Sequence, residues 1–230
     1  MRIINALKAD IRFQWKQGFF YVYTAITVMY LIILSFLPQD YLKTIVPIVI
    51  FSDPSILGLF FIGGILMLEK VQGVMAVMVV TPLRSEEYIL SKVLSLTLIS
   101  MVISLLIAWL SHTVEVNWLV FVITIIQTSC FFTLCGIMIS AGCHTINQYF
   151  LKSVPYMILF TLPCASLIGF QYSQLFEAIP SVAALRLMLG AFTGIPAWES
   201  AILIVYLTVL NYVCFRLTLR IFEKRIIYQD

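Results

Sequence analysis

Long apolar runs separated by short polar segments dominate the chain. A bilayer core is crossed by about 20 apolar residues of helix, so each long run is a candidate membrane span. Six runs qualify: 19–37, 54–68 with an apolar approach from 45, 93–111, 118–139, 154–170 and 198–216. The pattern predicts an all-α membrane protein with six transmembrane helices in a single domain, 1–230.

The first 18 residues show a different, helical periodicity. One predicted face is apolar and the basic side chains lie elsewhere: Ile3, Ile4, Leu7, Ile11 and Trp15 against Lys8, Arg12 and Lys16. This pattern predicts an amphipathic helix over 1–18 that lies at the membrane interface, with a disordered basic tail as the alternative. No cleavage site of the A-x-A kind follows Leu37, so we expect the first span to be retained.

The segment between the last two predicted spans is long but apolar. Residues 171–197 include Pro180, Leu185 and Phe192. Such a composition is unsuited to a loop in water, and it favours a segment of short helices that re-enters the outer leaflet.

Basic residues are distributed unequally between the two ends of the predicted spans. With six spans both termini share one side, and twelve of the fourteen Lys and Arg residues fall on it; the other side has Lys43 and Arg186. The excess of positive charge in short loops predicts cytoplasmic termini, and hence a multi-pass protein of the plasma membrane.

Composition excludes several classes of protein. Hydrophobic residues make up 62% and charged residues 11% of the chain, which is too apolar for a water-soluble enzyme. The net charge of +3 is too small to indicate nucleic-acid binding. Five cysteines without CxxC spacing and two isolated histidines predict no metal site and no cofactor bound by this chain.

Ionisable residues are missing from the first five predicted spans, and in the sixth they lie only at the ends. Proton relays and ion-coupled carriers need such groups at membrane depth, so coupling to an ion gradient is disfavoured. Small residues recur instead at helical spacing, where they favour close helix packing over the alternative of lining a substrate path. They are Ser100, Ser104, Ala108, Ser129, Thr133 and Gly136.

Nucleotide and hydrolase motifs are absent from the sequence. It contains no HExxH, no GxSxG and no GxxxxGK[ST] loop, so the chain is not expected to be an enzyme or to hydrolyse ATP by itself. A lipid-modifying intramembrane enzyme using Glu69, Glu86 and Glu87 is a weaker alternative. A non-transporting immunity or sensor protein is another.

The segment 69–92 combines charged residues, a short apolar stretch and helix-start signals. Gly73 is expected to turn the chain as it leaves the second span, and 74–80 is too apolar for a free loop and too short to cross a bilayer. Thr81-Pro82 is a helix-start signal, and Glu86 and Glu87 suit the positive end of the helix that becomes span three. An apolar segment framed by charges at the membrane surface predicts docking on another protein.

This segment resembles the loop after the second span in permeases of the ABC-2 type exporter family. In that family an acid leads, a glycine follows after four residues, Thr-Pro-Leu or Ser-Pro-Leu comes eight residues later, and a lysine closes the segment. Glu69, Gly73, Thr81-Pro82-Leu83 and Lys92 match these positions. Val71, Val74 and Ala76 depart from the pattern where the family often has a second acid and a Gly-Thr pair. Short drug-export permeases, including fluoroquinolone-exporter-like subunits, are the most similar subgroup.

The resemblance covers essentially the whole chain and implies a half-transporter. Two permease copies or paralogues would pair in the lipid, each on an ABC ATPase subunit that holds ATP and Mg²⁺, and would move a hydrophobic or amphipathic drug, lipid or peptide outward. The residues implied in forming or supporting the contact with the ATPase are Glu69, Gly73, Thr81, Pro82, Arg84, Glu86 and Glu87.

Asp53 is a separate candidate. In the predicted topology it lies at the outer end of span two, followed by Pro54. A helix cap is the favoured interpretation, and an outer gate that guides cargo release is the alternative.

Overall fold

Helices account for every regular element in the part of the chain that the structure describes. The structure is a computed structural model, and it describes residues 2–53, 55, 58–74, 83–111, 116–162, 164 and 179–227. The helices are α1 (Arg2–Lys16), α2 (Phe19–Ser35), α3 (Gln39–Ser52), α4 (Gly58–Val71), α5 (Ser85–Leu110), α6 (Trp118–Ala141), α7 (Ile146–Thr161), α8 (Pro180–Thr193) and α9 (Ala197–Phe222), which continues as a π-helical turn (Glu223–Ile227).

Within these described ranges, three helices are long and apolar enough to cross a membrane: α5, α6 and α9 with its extension to Arg225. A fourth candidate is the pair α1 and α2, which is bent by 69° around Gly18. Gly18 has a φ of 81°, a left-handed conformation that glycine adopts without steric cost. Helices α3 and α8 are shorter apolar helices.

The predicted second span differs most from the structure. Instead of one helix over 54–68 with a bent approach, the chain forms α3, which ends at Ser52, and α4, which begins at Gly58; the described residues between them, Asp53 and Ser55, are π-helical. Asp53 lies at this junction, directly after the last residue of α3.

Helix α6 lies at the centre of the bundle, against α4, α5, α8 and α9. Its small residues face these neighbours: the Thr97 hydroxyl of α5 donates to Ser129 Oγ at 3.1 Å. A Cβ atom on Gly136 would lie 2.2 Å from Ile62 Cγ2, so only glycine permits this approach of α4 and α6. All six residues predicted to serve close packing are buried.

Helix α7 approaches α4 through an aromatic side chain set against a glycine. Tyr149 is fully buried, and its hydroxyl donates to the Leu59 carbonyl at 2.5 Å. A Cβ atom on Gly63 would lie 1.9 Å from Tyr149 Cε1. The Tyr149 ring therefore occupies the volume that a larger residue at position 63 would need.

Helix α8, from the segment predicted to re-enter the outer leaflet, is buried among α3, α6, α7 and α9. The Ser181 hydroxyl donates to the Phe160 carbonyl of α7 at 2.5 Å. At its other end, the Ala191 carbonyl accepts the Asn117 N–H at 2.8 Å. An apolar helix held inside the bundle explains why this segment is poor in charge.

A polar contact joins α6 to α9 within their apolar surroundings. Asn211 Nδ2 donates to Gln127 Oε1 at 2.6 Å, and Gln127 Nε2 donates to the Thr208 hydroxyl at 2.6 Å. In lipid, side-chain hydrogen bonds of this kind hold helices together with modest energies.

We expect Asn211→Leu to lower the free energy of unfolding by about 0.6–2 kcal/mol, because the substitution removes an interhelical hydrogen bond. Chemical denaturation in mixed micelles measures this change. Val213→Leu, at an exposed position half a turn away, is the matched control and should leave stability unchanged. Equal effects of the two substitutions would show that the hydrogen bond contributes nothing.

Candidate functional site

A buried cluster of charges joins three helices where the segment 69–92 leaves and re-enters the bundle. The Lys92 ammonium of α5 contacts both the Asp10 carboxylate of α1 and the Glu69 carboxylate of α4. Lys92 is 1% exposed, Glu69 4% and Asp10 7%. We call Lys92, Asp10, Glu69 and the side chains that hydrogen-bond to them the Lys92 cluster. Buried charges need such pairing because their removal from water is costly.

Hydroxyl groups complete the hydrogen bonding of the two carboxylates. The Ser91 hydroxyl donates to Asp10 Oδ2 at 2.7 Å, and the Tyr88 hydroxyl donates to Glu69 Oε2. The Lys92 Nζ atom also lies 5.0 Å from the Tyr88 ring centroid, within the range of a cation–π contact. The cluster therefore fixes the first turns of α5 relative to the last turn of α4.

Helix α1 joins the bundle through a polar face. Asp10 and Gln14, one turn apart, are its buried residues, and Gln14 Nε2 donates to Ser95 Oγ at 2.9 Å. Trp15 and Ile4 remain exposed on the apolar side. Helix α1 thus has three surfaces: an apolar one, a basic one and a polar one that binds α5.

Lys70, the residue after Glu69, joins the end of α4 to the end of α6. Lys70 Nζ donates to the Ser140 and Cys143 carbonyls at 2.9 Å each, at the end of α6. Lys152 Nζ donates to the neighbouring Gly142 carbonyl at 2.8 Å. Cations suit the negative end of a helix dipole. Partial burial lowers the pKa of Lys70 below its ordinary value, and the nearby Cys143 opposes this shift.

The segment leaves α4 through the turn predicted from Gly73. Gly73 has a φ of 72°, its N–H donates to the Lys70 carbonyl at 3.2 Å, and no atom of a described residue lies within 4 Å of a Cβ atom built there. Glycine is required at position 73 by the left-handed backbone conformation, and not because a larger side chain would clash with described neighbours. Val71, 85% exposed, lies beside it as an apolar side chain on the surface.

The segment returns at Arg84, the N-cap residue of α5. The Arg84 N–H donates to Glu87 Oε2 at 3.0 Å, an arrangement that satisfies one backbone donor at the helix start. Glu86 and Glu87 lie in the first turn, as the sequence predicts. Arg84 and Glu86 are exposed, and Glu87 is partly buried.

The residues predicted to couple to an ATPase therefore separate into two groups. Gly73, Arg84 and Glu86 are exposed at the ends of the segment, whereas Glu69 is enclosed in the Lys92 cluster. Thr81 and Pro82 lie outside the described residues.

Sequence reasoning missed Asp10, Gln14 and Tyr88 as members of the cluster. Asp10 is the only acid in a helix with four basic residues, and Gln14 follows it by one turn. An acid and an amide on one face of an otherwise amphipathic helix indicate a third, protein-facing surface. That signal was present in the sequence.

Asp53, the separate candidate from the sequence, is buried at the junction of α3 and α4. It follows the last residue of α3, is 1% exposed, and lies beside Ser100 near the middle of α5 and near Tyr23 of α2. Its Oδ2 atom has no hydrogen-bond partner among the described residues. The fold thus places a carboxyl group in the interior of the bundle. Elsewhere in the described chain, no three His, Cys, Asp or Glu side chains group closely enough to hold a metal ion.

An apolar helical bundle with membrane-length helices and charges paired in its interior defines an integral membrane protein of several passes. The sequence model of the Fluoroquinolones export permease protein family matches residues 1–230, so the chain belongs to this family. Fluoroquinolones export permease proteins from two strains of Mycobacterium tuberculosis, CDC 1551 / Oshkosh and ATCC 25618 / H37Rv, are each 26% identical to it over 208 residues, which cover 89% of this chain and 88% of each relative. The chain is accordingly a membrane permease of an exporter.

Proposed function

We propose that this chain is the transmembrane subunit of an ATP-binding-cassette exporter. ATP and Mg²⁺ would be bound by separate ATPase subunits, and a second copy or a paralogue of the permease would complete the transporter. This proposal is supported by the membership in an export permease family and by the resemblance of 69–92 to the coupling loop of ABC-2 permeases.

The proposed topology has six spans and both termini in the cytoplasm of a plasma-membrane protein. The helices α3 and α4 together would form the second span, and α8 the re-entrant segment before the last one. Helix α1 would lie at the cytoplasmic interface, with Trp15 and Ile4 toward lipid. The excess of basic residues at this end of the bundle supports this orientation.

The Lys92 cluster is the observation that carries the mechanism. It joins the end of α4, the start of α5 and the interfacial helix α1 at one buried ammonium. A displacement of the segment 69–92 by an ATPase would therefore move two spans and α1 together, since separating any of them leaves a charge buried and unpaired. The lack of basic or acidic residues in most spans agrees with an energy source outside the membrane.

The two groups of coupling residues have different proposed roles. Arg84, Glu86 and Gly73 would contact the ATPase or shape the segment that does, with Thr81 and Pro82 positioning its second half. Glu69 and Glu87 would hold the contacting residues in position without touching the ATPase. Glu69 would do so through its ion pair with Lys92, and Glu87 through its hydrogen bond from the Arg84 N–H.

The cargo would be a hydrophobic or amphipathic compound. The two relatives are named for export of fluoroquinolones, and the described spans present mainly apolar side chains. We therefore favour an amphipathic drug over a lipid or a modified peptide.

Co-purification with an ATPase tests the proposal. The affinity-tagged chain is co-expressed with a candidate ATPase subunit that contains a GxxxxGK[ST] loop. We expect Arg84→Glu and Gly73→Pro to reduce the recovered ATPase at least tenfold and to abolish ATP-dependent drug efflux, because charge reversal and loss of the left-handed turn alter the docking segment.

Lys43→Glu, a charge reversal at an exposed position outside this segment, is the control and should retain the ATPase. Normal recovery and efflux with both Arg84→Glu and Gly73→Pro would contradict the coupling role. Efflux by the reconstituted chain without ATP or partner would contradict the proposed function itself.

A further inference from the structure

An apolar groove runs along the outer surface of the bundle between α2 and α5. It has a volume of about 460 Å³. Its floor is buried and includes Tyr23 and Ile99, whereas its rim is exposed and includes Val102 and Leu106. Because both helices belong to candidate membrane spans, the groove opens toward the hydrocarbon core of the bilayer.

The groove has the length of one lipid leaflet. It extends from Phe20 to Leu31 on α2 and from Ser95 to Leu106 on α5. Each stretch is a rise of about 16 Å along an α-helix. One leaflet of the hydrocarbon core is about 15 Å thick, half of the whole core. An acyl chain that crosses one leaflet therefore matches the groove in length.

The serine and threonine hydroxyls that line the groove are already used within their own helices. The Thr24 and Thr27 hydroxyls donate to carbonyls one turn earlier in α2, at 2.8 Å each. The Ser95 hydroxyl donates to the Lys92 carbonyl at 2.9 Å. The remaining described lining residues are aliphatic or aromatic. Such a surface favours the hydrocarbon chain of a ligand over its polar part.

Helix α1 places basic side chains beside one end of the groove. Ile11 of α1 lines this end, and the Trp15 ring contacts Phe20, another lining residue, with a centroid distance of 5.2 Å. Arg12 precedes Trp15 by three residues, and residues at this spacing are neighbours on a helix surface. Lys16 follows Arg12 by one turn. The groove therefore ends beside a basic surface, at the end nearest the proposed cytoplasmic interface.

No described acidic side chain neutralises Arg12 or Lys16. Both are exposed, and neither forms an ion pair with a described residue. Asp10, the one acid of α1, is enclosed in the Lys92 cluster. Arg12, Lys16 and Phe13 also line a cavity of about 580 Å³ on the surface of α1. Guanidinium and ammonium groups at a membrane surface bind the phosphate of anionic lipids, so this surface favours a negatively charged headgroup.

We propose that α1, α2 and α5 form a binding site for a phospholipid with an anionic headgroup. One acyl chain lies in the groove between α2 and α5, and Arg12 and Lys16 bind the phosphate. The bound lipid joins the interfacial helix to two spans from outside the bundle, whereas the Lys92 cluster joins α1 to α5 from inside. The inference uses the proposed position of α1 at the cytoplasmic interface, and it requires neither an ATPase nor a particular cargo.

Titration with two lipids tests this inference. Phosphatidylglycerol is anionic and phosphatidylcholine is zwitterionic, and the two are used with identical acyl chains. The dissociation constant of the first bound lipid is measured by native mass spectrometry of the full chain in detergent, without ATP or ATPase. The wild-type chain is expected to bind phosphatidylglycerol about tenfold more tightly than phosphatidylcholine, because two cations meet the anionic headgroup.

We expect Arg12→Gln with Lys16→Gln to remove this preference. Binding of phosphatidylglycerol weakens about tenfold, to the level of phosphatidylcholine, whose binding is unchanged. Arg216→Gln with Arg220→Gln is the matched control, since it removes two exposed basic residues at the same spacing on α9, and it should change neither constant. An equal loss in both double variants would show that only net charge attracts the lipid, and it would overturn the inference.

A bulky side chain at the rim tests the groove itself. We expect Val102→Trp to weaken binding of both lipids about fivefold or more, because the indole ring occupies volume that the acyl chain needs. Val209→Trp, at a similarly exposed valine on α9, should change neither constant. Leu106→Trp, at the same rim, replaces Val102→Trp if that variant is not recovered as a monodisperse chain.

Equal binding of the two lipids by the wild-type chain would overturn the inference, as would unchanged phosphatidylglycerol binding in Val102→Trp. Loss of a dimer from the mass spectra of Val102→Trp, with lipid binding unchanged, would assign the groove to a second copy of the chain instead. Reduced ATPase recovery by the Arg12 and Lys16 double variant, with its lipid preference retained, would assign these cations to the ATPase. Failure of the lipid site would leave the proposed function standing, because ATPase recovery and ATP-dependent efflux are measured separately.

Discussion

Replacing Lys92 by methionine is expected to lower the free energy of unfolding by about 3–5 kcal/mol, the range for removing one partner of a buried ion pair. The substitution keeps an unbranched apolar side chain but leaves Asp10 and Glu69 buried with only the Ser91 and Tyr88 hydroxyls as described donors. Chemical denaturation in mixed micelles measures the loss, and ATP-dependent efflux is expected to fall with it because α1, α4 and α5 no longer move together.

Lys8→Met is the matched control, since Lys8 lies exposed on α1 and outside the cluster. A triple variant, Lys92→Met with Asp10→Asn and Glu69→Gln, should recover most of the lost stability because no buried charge then remains unpaired. Recovery of stability without recovery of efflux would assign the charges to coupling. The same stability for Lys92→Met as for Lys8→Met would contradict the buried ion pairs.

Gly63→Ala is expected to destabilise the protein by about 1–3 kcal/mol or more, the cost of adding atoms to a packed core. The new methyl group would lie 1.9 Å from the Tyr149 ring, which is buried and fixed by its hydrogen bond to Leu59. Thermal unfolding followed by size-exclusion chromatography measures the difference.

Gly64→Ala is the control for this prediction. Among the described residues, a methyl group at position 64 would meet only the edge of Phe19, at 3.6 Å. This is an ordinary contact, so we expect little change. Tyr149→Leu should reduce the effect of Gly63→Ala when the two are combined, because the ring that causes the clash is gone. Strict additivity of the two substitutions would disprove direct contact between positions 63 and 149.

The helical class and the membrane-length helices α5, α6 and α9 could be predicted from the apolar runs, because both depend on local composition. The turn at Gly73 and the acids in the first turn of α5 could be predicted for the same reason: turn and helix-start signals act over a few residues. The resemblance to export permeases also rested on local spacing, and the family match confirms it.

Contacts between residues distant in sequence were not predictable in this way. Gly63 reads as one more small residue in an apolar run until Tyr149, 86 positions later, is placed against it. The packing around the junction of α3 and α4 likewise decides that Asp53 is buried. Residue spacing along one helix contains no information on which face of another helix it meets.

By itself, the sequence determined that this chain belongs in a lipid bilayer, that it is built from helices, and that charges and helix-start signals frame an apolar stretch within 69–92. It could do so because hydropathy and local helix signals are properties of short segments. Only the tertiary structure decided that Lys92 draws Asp10 and Glu69 into one buried cluster. The physical reason is that a charge in a low-dielectric interior is stable only beside a partner, and the fold selects that partner from any part of the chain.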